Sequence, residues 1–113
     1  MVKTADQVNR ELVEFTRLID SEYRVYALVL FGSYARGRAT EYSDIDVAVF
    51  SDDFGENLLE EMKRLFSLRR KIDTDIEPLV FRKEDFLDPS HSDFIYDVVT
   101  RGKVIYREGK FYV

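Results

Sequence analysis

The sequence predicts an α/β (α+β) fold in which a small mixed β-sheet carries its helices packed on one face. Segments of β-prone apolar residues alternate along the chain with amphipathic helical patterns, as in folds that pack helices against a sheet. The 113 residues contain no internal repeat, low-complexity segment or linker. We therefore expect one domain that spans residues 1–113.

The first predicted element is a helix over about residues 4–21. Thr4 and Gln7 have the spacing of a capping box, in which two side chains bind the free backbone amides at a helix start. Apolar residues then recur at helical spacing and predict one buried helix face. They are Val8, Leu12, Phe15 and Ile19.

Two strands are predicted next. Val25–Phe31 is a continuous β-prone apolar run, which indicates a central strand that is buried on both faces. Apolar side chains then occupy alternate positions from Ile45 to Phe50, and this alternation predicts a second strand. The polar residues 51–53 are expected to stop the strand and to supply a helix N-cap.

A second amphipathic helix is predicted over about residues 55–70, because apolar residues again recur at helical spacing. It ends in the basic residues 69–71, which complement the helix dipole and are expected to face solvent. Residues 73–81 predict a third strand. Pro78 has no amide hydrogen to donate, so it favours a position at the edge of the sheet.

The last third of the chain predicts one helix and one hairpin. Ser90 and Asp93 have the pattern of a helix start, and Gly102 is expected to stop this third helix. Residues 103–113 contain two short β-prone segments. Residues 107–109, which end in glycine, predict the turn between them.

Composition and charge disfavour several classes of protein. Cysteine is absent, which excludes disulfides, zinc–thiolate sites and a cysteine nucleophile. The N-terminus lacks the apolar stretch of a signal peptide and no apolar run reaches membrane-spanning length, so we expect a cytoplasmic protein without a membrane partner. The net charge of −5 disfavours a long nucleic-acid substrate but not a single nucleotide.

Two aspartates carry the main functional prediction. Asp44 and Asp46 are separated by one residue on the predicted second strand, so their side chains project from the same face. Two carboxylates this close repel each other, and a shared divalent cation relieves the repulsion. Hard oxygen ligands favour Mg²⁺ or Mn²⁺, and Mg²⁺ fills its remaining positions with water and phosphate oxygens.

Gly32 and Ser33 follow the first strand and predict a phosphate-binding turn. Glycine lets backbone amides approach an anion, and Ser33 adds a hydroxyl donor. A short helix beginning just after this turn would favour phosphate further. Arg36 and Arg38 lie in the connecting loop and are candidates to bind the same phosphates.

Residues 31–50 resemble the signature of the minimal nucleotidyltransferases, the stand-alone members of the DNA polymerase β-like superfamily. That signature is Gly-Ser, ten residues, then Asp-x-Asp, and its spacing is matched by Gly32, Ser33, Asp44 and Asp46. The order of helices and strands over about residues 5–82 agrees as well. The resemblance implies a nucleotidyltransferase fold with a polymerase β palm-like sheet, and nucleotidyl transfer as the reaction.

The resemblance also implies three carboxylates that hold two Mg²⁺ ions, with Mn²⁺ as an alternative. Asp44 and Asp46 supply two of them, and a neighbouring strand supplies the third. Asp73, Asp75 and Glu77 alternate along the predicted third strand, so all three are eligible. Asp75, which precedes a hydrophobic residue, best matches the family pattern and is the first choice, with Glu77 second.

One position departs from the family pattern. Tyr34 stands where many members carry arginine. One phosphate contact is therefore missing or is supplied by Arg36, which bears on triphosphate affinity and leaves the metal site unaffected.

The activity that the resemblance implies is transfer of a nucleoside monophosphate, with ATP as the expected donor, to a protein acceptor. Such family members are often paired with HEPN-domain ribonuclease toxins, and as antitoxins they adenylylate a tyrosine of the toxin. The alternative is a non-catalytic antitoxin that masks its partner, which the acidic net charge supports. Polymerase activity is disfavoured by charge and size. The sequence leaves open the acceptor, the preferred base and whether the chain forms a homo-oligomer.

Overall fold

The structure, a computed structural model that describes residues 2–113, is built on one mixed five-stranded sheet. Its strands are β1 (Val25–Phe31), β2 (Ile45–Ser51), β3 (Ile76–Phe81), β4 (Lys103–Arg107) and β5 (Lys110–Phe111). Their order across the sheet is β3-β2-β1-β4-β5, so β1 lies in the middle, as its apolar sequence predicts. β2 and β3 are parallel, whereas the other neighbouring pairs are antiparallel.

Four α-helices are described, together with one 3₁₀ turn over residues 89–91. They are α1 (Ala5–Asp20), α2 (Leu58–Arg69), α3 (Lys83–Leu87) and α4 (Asp93–Arg101). The capping box predicted for the first helix is confirmed, because the Thr4 hydroxyl accepts the Gln7 amide and the Gln7 side chain accepts the Thr4 amide. Gly102 ends α4 as its C-cap, as predicted.

Helices cover both faces of the sheet, which corrects the prediction that they pack on one face. The α1/α2 face is an apolar layer made by Val8, Leu12, Phe15, Ile19, Leu65 and Leu68 against Leu28, Leu30, Val47, Val49, Ile76 and Ile105. The α3/α4 face is made by Phe86, Ile95 and Val98 against Tyr26, Val29, Ala48 and Phe50. The physical reason is that β1 and β2 are apolar on both sides, so both sides must be removed from water.

The other corrections concern where two helices begin, and one short helix that the sequence did not predict. Asn57, rather than residues 51–53, caps α2 by accepting the Glu60 amide at 3.3 Å. Ser51 is the last residue of β2, and residues 52–53 form a turn tied to the start of β1, where Asp53 accepts the Arg24 amide at 2.7 Å. The sequence reading also missed α3, which contributes to the α3/α4 face. The N-cap of α4 is residue 92 rather than residue 90.

The two ends of the sheet agree with the local sequence. β3 is an edge strand, as Pro78 predicts, although it begins three residues later than expected. Between β4 and β5, Glu108 and Gly109 both have positive φ angles of 48° and 81°. This conformation is that of a tight hairpin turn, so the predicted hairpin is confirmed. Within residues 2–113, none of the helices combines the length and the apolar character needed to cross a membrane.

Candidate active site

The two aspartates lie where β2 begins, on the α3/α4 face of the sheet. Asp46 is the second residue of β2 and shares its face with Ala48 and Phe50, because strand side chains alternate. Asp44 directly precedes the strand and is exposed, whereas Asp46 is partly buried. Burial, followed by the charges of Asp44 and Glu77, raises the pKa of Asp46. Three carboxylates therefore act on one another at this point of the sheet.

Gly32 lies directly against the carboxylate of Asp46. Its φ angle is +74°, which other residues adopt only with strain. A Cβ atom at this position would overlap a carboxylate oxygen of Asp46, so a side chain would fit only if that carboxylate moved. Phe31 is paired with Asp46 across the two antiparallel strands, and this register brings the turn after β1 to the aspartate. Backbone conformation and space both explain the glycine.

The residues after Gly32 form consecutive turns instead of the short helix considered from the sequence. The Arg36 amide donates to the Gly32 carbonyl at 3.1 Å, and the Arg38 amide donates to the Ser33 carbonyl at 2.9 Å. Among residues 2–113, the amides of Ser33, Tyr34 and Ala35 have no backbone hydrogen-bond partner. Successive unpaired amides beside a glycine can bind phosphate oxygens, so this turn can bind an anion without a helix.

The two candidate arginines differ in their surroundings. Arg36 extends toward α4, where its guanidinium lies 3.6 Å from an Asp97 carboxylate oxygen. More than half of the Arg36 side chain is exposed, so this ion pair is weak. Arg38 is exposed at the end of the turn. Arg36 therefore contacts α4, which packs on the same face of the sheet as Asp46, whereas Arg38 faces solvent.

Asp75, the first choice for the third metal ligand, is paired with a residue outside the aspartate pair. Its carboxylate lies 3.0 Å from the Lys3 ammonium group, which also lies 3.0 Å from Asp73. Its backbone carbonyl also accepts a hydrogen bond from the Ile45 amide at 2.8 Å. The structure thus pairs Asp75 and Asp73 with the segment before α1 and does not direct them to the aspartate pair.

Glu77 is the carboxylate that the structure brings to the aspartates. It lies opposite Asp46 in the parallel pairing of β2 and β3, and its charge is among those that raise the pKa of Asp46. Neighbouring residues in register on adjacent strands project from the same face of a sheet. The sequence had Glu77 on its short list, but the register that selects it depends on how β3 pairs with β2.

An aromatic wall borders the site on the same face. It consists of Phe31, Phe81 and Phe94, with Phe94 in an edge contact with Phe31 at a ring distance of 5.7 Å. Half of the Phe94 side chain is exposed. Only the placement of α4 beside β1 brings Phe94 to this wall.

The donor set fits a hard divalent cation. Asp44, Asp46 and Glu77 all carry carboxylate oxygens, which Mg²⁺ and Mn²⁺ prefer. Burial, and after it repulsion by Asp44 and Glu77, raises the pKa of Asp46, and a bound cation would relieve that repulsion. In the described part of the chain, no three acidic or histidine side chains are arranged so that they could hold a metal ion as they stand. A cation bound by Asp44, Asp46 and Glu77 would therefore have to draw these side chains closer together.

Comparison with known proteins agrees with this geometry. The family profile described as "Polymerase beta, Nucleotidyltransferase" matches residues 14–110. Two proteins of Methanocaldococcus jannaschii, each named "Putative protein adenylyltransferase", are similar to this chain. One is 30% identical over 113 residues, covering 93% of this chain and 76% of the relative. The other is 31% identical over 99 residues, covering 86% and 96%.

Solved structures share the fold. A "putative nucleotidyltransferase" from Sulfolobus solfataricus matches 100% of this chain and 97% of its own, with a TM-score of 0.69 and 19% identity. A chain of a toxin–antitoxin complex with AMP-PNP matches 88% of this chain and 73% of its own, with a TM-score of 0.58 and 26% identity. A chain of the complex between a tri-AMPylated Shewanella oneidensis HEPN toxin and its MNT antitoxin matches 93% and 74%, with a TM-score of 0.52 and 23% identity.

Proposed function

Because the chain belongs to the polymerase β nucleotidyltransferase family, we propose that this nucleotidyltransferase transfers AMP from ATP to a hydroxyl group of a partner protein. The observation that carries the proposal is the contact between Gly32 and Asp46, which joins a phosphate-binding turn to a cluster of carboxylates. A protein acceptor is supported by the names of the two archaeal relatives.

The proposed partner is a HEPN-domain toxin, for which this chain would be the antitoxin. A toxin–antitoxin role and a bound ATP are supported by the 26% identity to a chain of the complex that contains AMP-PNP, an ATP analogue. The resemblance of residues 31–50 to the minimal nucleotidyltransferases supports the HEPN class of toxin. The net charge of −5 would favour association with a basic ribonuclease surface.

The chain's own groups have distinct proposed roles. Asp44, Asp46 and Glu77 would hold Mg²⁺, or Mn²⁺, and two such ions fit the family pattern. When bound, a divalent cation neutralises phosphate charge and favours the deprotonated form of an attacking hydroxyl. Ser33 and the free amides of its turn would bind the triphosphate. Glu77 replaces Asp75 in this proposal because Asp75 is paired with Lys3.

Positioning carries most of the catalytic effect in such a site. The reaction joins the acceptor oxygen to the α-phosphorus, breaks the bond to the bridging oxygen and releases pyrophosphate, while the hydroxyl proton passes to water. The phosphate turn would fix the triphosphate so that the leaving group lies in line with the attacking oxygen. Arg36 would leave its weak pair with Asp97 and bind a phosphate oxygen instead.

Label transfer tests the proposal. The protein is incubated with Mg²⁺, α-labelled ATP and the candidate toxin, and covalent labelling of the toxin is measured. Asp46→Asn should reduce labelling by more than about 100-fold, because loss of a ligand exceeds the usual effect of changing its supporting residues. Asp52→Asn, an exposed change just beyond the other end of β2, is the matched control and should label like the wild type.

The same experiment separates the second candidate function. A non-catalytic antitoxin would neutralise the toxin without labelling it, and Asp46→Asn would neutralise equally well. The acidic net charge is the observation that favours this alternative. Extension or labelling of RNA in place of protein would contradict both proposals.

Several narrower expectations belong to the same proposal. Residues 1–113 would act as a single catalytic domain, without a long nucleic acid or a membrane as partner. A cytoplasmic location and a homo-oligomer stay predictions, which cell fractionation and light scattering would test.

A further inference from the structure

We propose that Arg69 is a positioning residue for Glu77, so that a side chain from the opposite layer of the fold shapes the carboxylate cluster. This inference rests on the proposed function, because it assumes that Glu77 helps to hold a divalent cation. Its basis is a set of contacts that the sequence did not predict. The sequence placed Arg69 on a solvated helix end, but only about a fifth of its side chain is exposed.

Arg69 lies at the end of α2 and reaches the free edge of the sheet. Its Nη1 atom donates to the carbonyl of Thr74 at 2.8 Å and to the carbonyl of Ile76 at 2.7 Å. β3 is an edge strand, so on this side its carbonyls have no partner strand. The guanidinium therefore satisfies backbone acceptors that a sheet edge leaves open, and it fixes the start of β3 to α2.

The guanidinium plane is itself held in place. Its central carbon lies 4.4 Å from the ring centroid of Phe66, as expected for a cation–π contact. The Nε atom of Arg69 is buried and has no hydrogen-bond partner among residues 2–113. Burying this nitrogen without a partner costs free energy, which the hydrogen bonds of Nη1 and the contact with the Phe66 ring must offset. The side chain is therefore a fixed part of the fold.

The same Nη1 atom lies 3.4 Å from Oε1 of Glu77. Glu77 is opposite Asp46 across β2 and β3, so the contact acts on the carboxylate nearest to the aspartate pair. Only one glutamate oxygen is engaged, which leaves Oε2 free to bind a cation. Arg69 thus restricts the rotamers of a side chain that would otherwise move freely at a sheet edge.

Charge and geometry make opposite predictions for this contact. If the positive charge of Arg69 acted only by competing with the cation, its removal would strengthen cation binding. If Arg69 positions Glu77, its removal weakens binding, and lysine fails as a substitute because it lacks the planar guanidinium that lies over the Phe66 ring and holds Nη1 in place. The Arg69→Lys variant therefore separates the two effects.

Calorimetric titration with Mn²⁺, without nucleotide or partner, is the direct test. Arg69→Lys and Arg69→Gln should each weaken Mn²⁺ binding about tenfold, within the usual range for residues that support metal ligands. Arg70→Gln is the matched control, because it removes the same charge from the adjacent exposed residue and should bind like the wild type. In a Glu77→Gln background, Arg69→Gln should have little further effect, because both changes act through one carboxylate.

Each outcome decides between the possibilities. Mn²⁺ binding by Arg69→Lys that equals or exceeds that of the wild type would overturn the positioning role. So would a lowered melting temperature with unchanged Mn²⁺ affinity, which identifies a purely structural arginine. If either result came with normal protein labelling by the wild type, the proposed function would stand and only this inference would fall. Absence of Mn²⁺ binding and of labelling in the wild type would remove both.

Discussion

The α1/α2 face and the α3/α4 face of the sheet differ most at the end where β2 begins. On the α1/α2 face, Val47 is fully buried in the same apolar cluster as Leu12 and Phe15 of the long helix α1. On the α3/α4 face, shorter helices leave Asp46 only partly buried and half of Phe94 exposed. Asp46 and Val47 are successive residues, so the contrast arises within a single peptide unit.

The comparison shows how one small sheet serves two purposes. Strand alternation sends every second residue of β2 into a closed apolar layer, which supplies most of the stability. The remaining residues face a layer that is complete around Phe50 but open around Asp46. Asp46 lies at this opening at a cost, because burial and then the charges of Asp44 and Glu77 disfavour its ionised form.

A pair of aromatic truncations tests this division and should have the largest effect. Phe15→Ala empties a fully buried position on the α1/α2 face, so the free energy of unfolding should fall by about 3–5 kcal/mol. Phe94→Ala on the α3/α4 face should cost less than about 1.5 kcal/mol, because half of the side chain is already exposed. Urea unfolding followed by circular dichroism measures both. Equal losses of unfolding free energy would mean that the two faces contribute equally to stability, which would contradict this division.

Gly32→Ala should have an intermediate effect on stability and a large effect on the site. Its positive φ angle makes alanine about 1–2 kcal/mol less favourable, and the new methyl group would displace the Asp46 carboxylate. We expect label transfer to fall as far as in Asp46→Asn. Gly109→Ala is the control, since its φ angle is +81° and, apart from the glycine and its two neighbours, no atom of residues 2–113 lies within 4 Å of the added carbon. If the two variants have similar unfolding free energies and only Gly32→Ala loses activity, the special role of the open end of the α3/α4 face is supported. If both variants keep their activity, that role is contradicted.

A pH-dependent change in melting temperature is the smallest effect expected. At the edge of the α1/α2 face, burial and the adjacent Asp73 raise the pKa of Glu11 to about 7. A raised carboxyl pKa means that the stabilisation present at low pH is lost as pH rises through about 7. Glu11→Gln should therefore melt about 4 °C or less above the wild type at pH 8, with a smaller difference at pH 5.

Glu14→Gln is the control for that titration, because Glu14 is an exposed carboxylate on the same helix. It should leave the pH dependence of the melting temperature unchanged. A Glu11→Gln protein with the same pH dependence as the wild type would contradict the raised pKa of Glu11. The α1/α2 face would then show no sensitivity to this charge.

Local rules predicted much of the fold and part of the site. The capping box at Thr4, the bounds of β1 and the hairpin turn at Gly109 depend on neighbours a few residues apart, and all three are confirmed. The predicted α/β class and nucleotidyltransferase family are confirmed as well. The cap of α2, the helix α3 and the covering of both sheet faces were missed or wrong, because they depend on how segments pack.

The sequence alone predicts which residues would take part in the proposed chemistry. Gly32, Ser33, Asp44 and Asp46 are placed by short spacings around one turn and one strand, and alternation already puts the two aspartates on one face. Only the tertiary structure shows that Glu77 lies opposite Asp46, that Asp75 is paired with Lys3, and that Arg69 reaches Glu77. The reason is physical: the partner of an edge strand, its register and the reach of a side chain from another layer are set by contacts between residues distant in the chain, which no local pattern contains.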